Sequence, residues 1–195
     1  MTEVLVGMDV SGDATRSNYN YLGIVVGIHN RIMQIHAPVK HFPEHMASID
    51  ELERVQIIQN LVFNSQTEIA FCVKLDRKNI VNDIMNIKRR GGKNLEKGKV
   101  LRTYNRVVIQ EIKRRLEDFL FSHGISITEI VIQCDSDCKY FAKAGALQYT
   151  RKGVAYKLSD YVAWCNNKNR SPASVNEIDF TNDIPKRMKK ILNLR

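Results

Sequence analysis

The chain has 195 residues, and its 30 Lys and Arg against 21 Asp and Glu give a formal net charge of +9. Hydrophobic residues make up 44% and charged residues 26% of the sequence, which excludes wholesale disorder and a coiled-coil rod. The start, MTEVLVGMDVSGD, lacks the basic residues and long apolar stretch of a secretory signal, and no apolar run is long enough to cross a bilayer. The four cysteines include no CxxC pair. We therefore expect a cytoplasmic protein with polyanionic partners and no membrane contact.

The first forty residues predict a meander of three strands. EVLVGMDV (3–10) and YLGIVVGI (21–28) are apolar runs rich in β-branched residues, and RIMQIHAPV (31–39) alternates between apolar and polar side chains. Turn-forming residues follow the first two runs, so we predict that hairpins join the three strands.

Helices and strands alternate in the remainder of the chain. Apolar residues at helical spacing predict helices over 49–64 and 101–122, and apolar runs predict strands over 67–75 and 127–137. A helix-prone segment (76–90), short helices (138–146 and 156–168), a linker (171–183) and a basic C-terminal helix complete the prediction.

The order βββαβαβα predicts one α/β domain over residues 1–170. Its mixed five-stranded sheet would consist of the antiparallel meander followed by alternating strands and helices, with helices flanking the sheet. Residues 171–195 would form the linker and the basic helix outside this domain.

Three acids lie where these elements would bring them together. Asp9 closes the first strand, Asp135 closes the strand IVIQC, and Asp160 interrupts an apolar helix in YKLSDYVAW. Ligands bind at the carboxyl ends of strands in open α/β sheets. Clustered carboxylates repel one another unless a divalent cation neutralises them, and Mg²⁺ and Mn²⁺ prefer oxygen ligands. Two such ions suit phosphodiester chemistry.

Two further acids compete with this set or add to it. Asp76 closes the run TEIAFCVKLD and is the alternative to Asp135 as the second acid. We prefer Asp135 because Asp137 follows closely, which makes Asp137 a candidate fourth ligand. An acid at a strand end is often an ordinary turn or cap residue, so each position alone also fits a structural role.

Basic residues concentrate in a glycine-containing segment before the longest predicted helix. Gly91, Gly92 and Gly98 disfavour a rigid helix, so we predict a flexible loop over 88–102 that binds phosphates near the acids. A solvated surface loop is the alternative. The predicted nucleic-acid contacts are Lys88, Arg89, Arg90, Lys93, Lys97, Lys99 and Arg102, together with Arg151 and Lys152 before the helix that carries Asp160.

These features resemble the RNase H-like superfamily, which includes ribonucleases H, RuvC-type resolvases, transposases and Argonaute nucleases. The resemblance lies in the meander whose first strand ends in MDVSGD (8–13), in the acid of IVIQCDSD (130–137) and in the helix acid of YKLSDYVAW. More narrowly, DVSG (9–12) and LSDYVA (158–163) match a group with an Asp-x-Ser-Gly first strand and a Leu-x-Asp-hydrophobic-hydrophobic-Ala helix.

The resemblance covers most of the chain and implies an RNase H-like fold with nuclease activity. It implies that Asp9, Asp135 and Asp160 bind Mg²⁺ or Mn²⁺, as two ions, for cleavage of DNA or RNA that leaves a 3′-hydroxyl. One departure is the extra strand (67–75) and helix before Asp135. The same fold can also serve a non-catalytic nucleic-acid-binding module or subunit, which stays the alternative.

Overall fold

A computed structural model describes most of the chain. Over these residues no helix combines the length and the apolar character that crossing a membrane requires. Lys88, Arg89, Arg90, Lys93, Asp137 and Lys152 lie outside the described residues, so their predicted roles stay predictions. The described residues are 3–13, 18–28, 31–33, 48–59, 68–87, 95–122, 124, 129–135, 138–145, 148–151, 153–167 and 175–194.

The strands of the described part of the chain form one mixed sheet. They are β1 (Glu3–Asp13), β2 (Asn18–Ile28), β3 (Glu68–Lys74), β4 (Glu129–Cys134), β5 (Tyr149–Arg151) and β6 (Val175–Asp179). The order across the sheet is β5-β4-β1-β2-β3-β6. β2 runs antiparallel to β1 and β3, and the other neighbouring strands are parallel. The carboxyl ends of all strands except β2 therefore lie along one edge, which we call the carboxyl edge.

Helices cover both faces of this sheet. In the described residues they are α1 (Glu51–Gln59), α2 (Arg77–Asn86), α3 (Lys97–Ser122), α4 (Lys139–Ala144), α5 (Val154–Asn167) and α6 (Asp183–Leu192). One apolar core lies between the sheet and α2, α3, α4 and α6, and a second lies between the sheet and α5 with α1. The predicted helices over 101–122, 138–146 and 156–168 are confirmed within a few residues.

Side chains of β1 contribute to both cores. Val4, Val6 and Met8 lie in the core under α3, whereas Leu5 lies in the core under α5. Because side chains alternate along a strand, Asp9 belongs to the α5 face. Burial on both faces explains why β1 is a nearly continuous apolar run in the sequence.

The predicted third strand of the meander is wrong. Residues 31–33 are helical, and β3 fills the third position by pairing antiparallel with β2. The alternation of RIMQIHAPV matches a strand, but helical backbone at residues 31–33 also places Ile32 in the core under α5. β3 has apolar residues on both faces, which suits a strand between two neighbours. Residues 34–39 lie outside the described part.

The predicted linker over 171–183 contains β6, and β5 was not predicted either. These two strands are added and the predicted third strand is lost, so the sheet has six described strands instead of five. β6 pairs in parallel with β3 at the edge of the sheet. Only Val175 of this strand is buried, and its polar composition gives no strand signal. The predicted basic C-terminal helix is confirmed as α6, which buries Ile184, Met188 and Leu192 in the core that contains α3. The C-terminal segment therefore packs on the same sheet.

The predicted flexible loop over 88–102 is wrong for its second half. Lys97, Lys99 and Arg102 lie in the first turns of α3. The backbone N–H groups of Lys99 and Val100 donate to the carbonyl oxygen of Glu96 at 3.0 and 3.1 Å. Val100 is fully buried, so packing fixes the start of the helix although Gly98 is a poor helix former.

Glu111 joins α3 to α6. Its carboxylate accepts hydrogen bonds from Arg114 on the same helix and from Arg187 of α6. The side chain of Glu111 is only 11% exposed. The hydrogen bond from Arg114, followed by the charges of Arg114 and Arg187, lowers the pKa of Glu111, although burial opposes this effect.

We expect Glu111→Gln to lower the free energy of unfolding by about 1.5–3 kcal/mol at neutral pH, the range for hydrogen bonds to charged groups. Because folding lowers this pKa, the stabilisation is fully present above the ordinary value near 4.5 and is lost as the pH falls through the folded-state pKa. Urea unfolding at neutral pH and at about pH 3 measures this loss. Glu117→Gln, on the exposed side of the same helix, is the control. If the difference in unfolding free energy between wild type and Glu111→Gln stays constant with pH, that result would contradict the ion pair.

Candidate metal centre

Two of the predicted acids follow adjacent parallel strands at the carboxyl edge. The pairing of β1 with β4 ends at Met8 opposite Cys134. Asp9 and Asp135 each follow directly after these paired residues, and the two strands are about 4.8 Å apart. Met8 and Cys134 both lie in the core under α3, so the following position on each strand belongs to the α5 face.

Two glycines let α5 lie directly on the sheet. A Cβ atom at Gly7 would collide with the α5 backbone, and one at Gly23 would collide with the carbonyl oxygen of Ser159. Gly23 is also the partner of Asp9 in the β1–β2 ladder. Because these positions carry no side chain, Asp160, the residue after Ser159, comes within hydrogen-bonding reach of Asp9.

Asp9 is the most deeply buried of the three acids. It is 7% exposed, whereas Asp135 and Asp160 are half-buried. Burial raises the pKa of the Asp9 carboxyl well above its ordinary value, and the charge of Asp160, a hydrogen bond with Asp160 and the charge of Asp135 raise it further. A hydrogen bond from the backbone of Val10 opposes these effects. The structure thus joins Asp9 to Asp160 by a hydrogen bond and places Asp135 within electrostatic reach.

Two buried groups beside the acids stay protonated at neutral pH. Burial raises the pKa of the Cys134 thiol to about 11, and the charges of Asp135 and Asp9 add to the effect. Burial and the three carboxylates also raise the pKa of Tyr156. Neither group therefore adds negative charge to the site. Tyr156 is absent from the predicted site residues, and the signal that points to it is its position one helical turn before Asp160.

Gln133 fixes the start of α5 against β4. Its Oε1 atom accepts a hydrogen bond from the backbone N–H of Ala155 at 3.0 Å, which satisfies one of the amides that a helix start leaves unpaired. Gln133 lies two residues before Asp135 and therefore on the same face of the sheet. It was not among the predicted site residues, although this strand periodicity is visible in the sequence.

Asp76 occupies a different place from the other acids. It follows β3, which is two strands from β1, and therefore lies about 10 Å away across the sheet. Its Oδ2 atom accepts a hydrogen bond from Nδ2 of Asn79 at 3.0 Å at the start of α2. Of the two alternatives for the second acid, the structure groups Asp135 with Asp9.

The described residues of the predicted basic set lie on β5 and α3. Arg151 pairs with Cys134 across β5 and β4, which places its backbone beside the strand that precedes Asp135. Lys97, Lys99 and Arg102 lie at the start of α3, on the other side of the sheet from α5.

The donor set suits a hard divalent cation. Within the described residues, no three His, Cys, Asp or Glu side chains already stand at the spacing of metal ligands. The three acids supply only carboxylate oxygens, which Mg²⁺ and Mn²⁺ prefer. Burial and the neighbouring carboxylates raise the pKa of Asp9, and a bound cation would oppose these effects.

No protein-family model matches the sequence, and no curated protein matches it either. Among solved structures, this chain is similar to one in the complex of PCNA and RNase HII from Archaeoglobus fulgidus. The two share 7% sequence identity with a TM-score of 0.43, and the match covers 98% of this chain and 78% of that chain. At that identity and TM-score, the likeness assigns neither a family nor an activity.

Proposed function

We propose that this protein is a metal-dependent nuclease with an RNase H-like fold, which cleaves phosphodiester bonds of DNA or RNA. The observation that carries the proposal is the convergence of Asp9, Asp135 and Asp160 at the carboxyl edge. The fold adds support because β1, β2 and β3 form an antiparallel meander and β4 pairs in parallel with β1. The resemblance to the superfamily rests in part on such a meander, although its third strand is β3 instead of the predicted residues 31–39.

The three carboxylates would hold a pair of Mg²⁺ or Mn²⁺ ions. Such ions, when bound, lower the pKa of a water molecule and stabilise negative charge on the phosphoryl oxygens. Asp9 would then release the proton of its hydrogen bond with Asp160. β1, β4 and α5 keep the acids in place, so the acids act by position and charge and do not themselves attack the phosphorus.

Cleavage of labelled single-stranded, duplex, hybrid and branched substrates with Mg²⁺ or Mn²⁺ tests this proposal. We expect the wild type to cleave at least one substrate and Asp9→Asn and Asp160→Asn to lose the activity. Asp76→Asn is the matched control, because Asp76 lies at the same edge but apart from the other acids. Equal cleavage by wild type and Asp9→Asn would assign the activity to another site or a contaminant. Salt-dependent binding without Mn²⁺ affinity would favour the non-catalytic binding module.

A further inference from the structure

α3 carries a row of basic side chains on its solvent-facing side. Lys99, Arg102 and Arg106 are exposed, and Lys113 is half-buried. Spacings of three, four and seven residues place all four on one side of the helix. They span about 21 Å along the axis, because each residue adds about 1.5 Å. We call these four residues the basic row.

The charges of the basic row are uniform and oppose the helix dipole. From Lys97 to Gln110 the sequence contains no Asp or Glu, and Glu111 is directed to Arg187 of α6. α3 therefore begins with cations, where the helix dipole disfavours positive charge. α6 has the favourable arrangement, with an acid in its first turn and lysines in its last. Because the first charges of the row do not stabilise α3 itself, they indicate an anionic partner.

One end of the basic row lies level with the carboxyl edge. Arg77 is the first residue of α2 and follows β3 closely, and its guanidinium carbon is 6.0 Å from the ring centre of Tyr104. Tyr104 is therefore near this edge. Lys99 and Arg102 precede it, whereas α3 continues toward the opposite edge, where β4 begins.

α4 connects the basic row to the acids. The backbone N–H of Lys139, the first residue of α4, donates to the carbonyl oxygen of Asp135 at 3.2 Å. Phe141 and Ala142 of the same helix are buried in the core that α3 covers, and α4 contacts α3. Among the described residues, this short helix lies between α3 and the strand end that carries Asp135.

We propose that the basic row binds the phosphate backbone of a nucleic acid and directs it across α4 to the acids. The proposal deepens the proposed function and rests on it for the role of the acids, but the binding step itself requires no cleavage. It adds Arg106 and Lys113 to the contacts predicted from sequence. The contact surface is a rigid helix, so its charges are already in place before the nucleic acid arrives.

The test is binding of a labelled duplex DNA, followed by fluorescence anisotropy in EDTA at several salt concentrations. An Asp9→Asn background excludes cleavage. The row variant combines Arg106→Gln with Lys113→Gln, and the control combines Lys186→Gln with Lys190→Gln on the exposed side of α6. Two lost phosphate contacts would flatten the slope of log affinity against log salt by about 1.8 and weaken binding in about 0.1 M salt by up to ~60-fold. The control should retain the slope.

Two variants with equal net charge separate a docking surface from general attraction. Three results would contradict binding of nucleic acid by the basic row. They are an unchanged salt slope in the row variant, an equal loss of slope in the α6 control, and no DNA binding by the parent protein. Wild-type melting temperatures in both variants confirm that the fold is intact. If the salt dependence of binding flattens in the row variant while the wild type cleaves no substrate, the basic row binds nucleic acid but the nuclease proposal fails.

Discussion

Asp9→Asn is expected to stabilise the metal-free protein at neutral pH and to slow cleavage by about 1000-fold or more. The stabilisation, on the order of 1 kcal/mol or more, arises because burial and the neighbouring carboxylates disfavour the charge of Asp9. Asparagine has nearly the same shape, and its amide can donate to Asp160 as the neutral acid does. The loss of cleavage follows because metal ions contribute several kcal/mol to the transition state, and about 4 kcal/mol corresponds to ~1000-fold in rate.

The stability difference between Asp9→Asn and wild type should depend on pH. Folding raises the pKa of Asp9, so the wild type loses stability as the pH rises from the ordinary carboxyl value, about 4, through the folded-state pKa. The gain from Asp9→Asn should therefore be small in acid and large at neutral pH. Thermal unfolding in EDTA across this range measures it, with Asp76→Asn as control. A variant that is less stable than wild type at neutral pH would show that Asp9 has a compensating partner.

Gly7→Ala is expected to destabilise the fold by about 3 kcal/mol and to weaken Mn²⁺ binding. The new methyl group would collide with the carbonyl oxygen of Ala155, and backbone atoms cannot rotate away as side chains do. Overpacking of this kind costs about 1–3 kcal/mol and occasionally more. α5 would have to move off β1, and Asp160 moves with it. Urea unfolding and Mn²⁺ titration measure the two effects.

Gly98→Ala is the matched control for Gly7→Ala. A Cβ atom at Gly98 would be 3.4 Å from Nη1 of Arg102, which is an ordinary contact with a flexible side chain. Alanine is the better helix former by up to about 1 kcal/mol, so this variant should be as stable as wild type or more stable. Wild-type stability and Mn²⁺ affinity in Gly7→Ala would contradict the close packing of α5 on β1.

The acids were the most predictable part of the candidate site. Asp9 and Asp135 follow from the rule that carboxyl ends of parallel strands share an edge, and Asp160 follows from an acid within an apolar helix. The rule did not separate Asp135 from Asp76, because both close a strand. Their separation depends on strand order, which places β4 next to β1 and β3 two positions away.

The errors in the predicted fold arise where local pattern and long-range packing disagree. RIMQIHAPV alternates as a strand does, yet residues 31–33 are helical and β3 completes the meander. β6 is polar because it lies at a sheet edge, so its pairing with β3 leaves little signal in its own residues. Gly98 indicated a loop, but the burial of Val100 fixes a helix there.

The roles of Gly7 and Gly23 were not predictable from local sequence. Each glycine matters because a helix from more than a hundred residues later lies on it. Glycine in a strand indicates a close approach of some other backbone, but the approaching segment is visible only in the fold. That close approach of α5 to the sheet places Asp160 beside Asp9.

Calorimetric titration of Mn²⁺ into wild type and Asp160→Asn tests the candidate metal centre most directly. Wild type should bind Mn²⁺ and release protons in the process, because a cation competes with the proton of the Asp9–Asp160 hydrogen bond. Asp160→Asn should bind Mn²⁺ at least about tenfold more weakly, as expected when the loss of a charged ligand costs about 1.4 kcal/mol or more. Absence of Mn²⁺ binding by wild type, or equal binding by the two proteins, would contradict a metal centre formed by Asp9, Asp135 and Asp160.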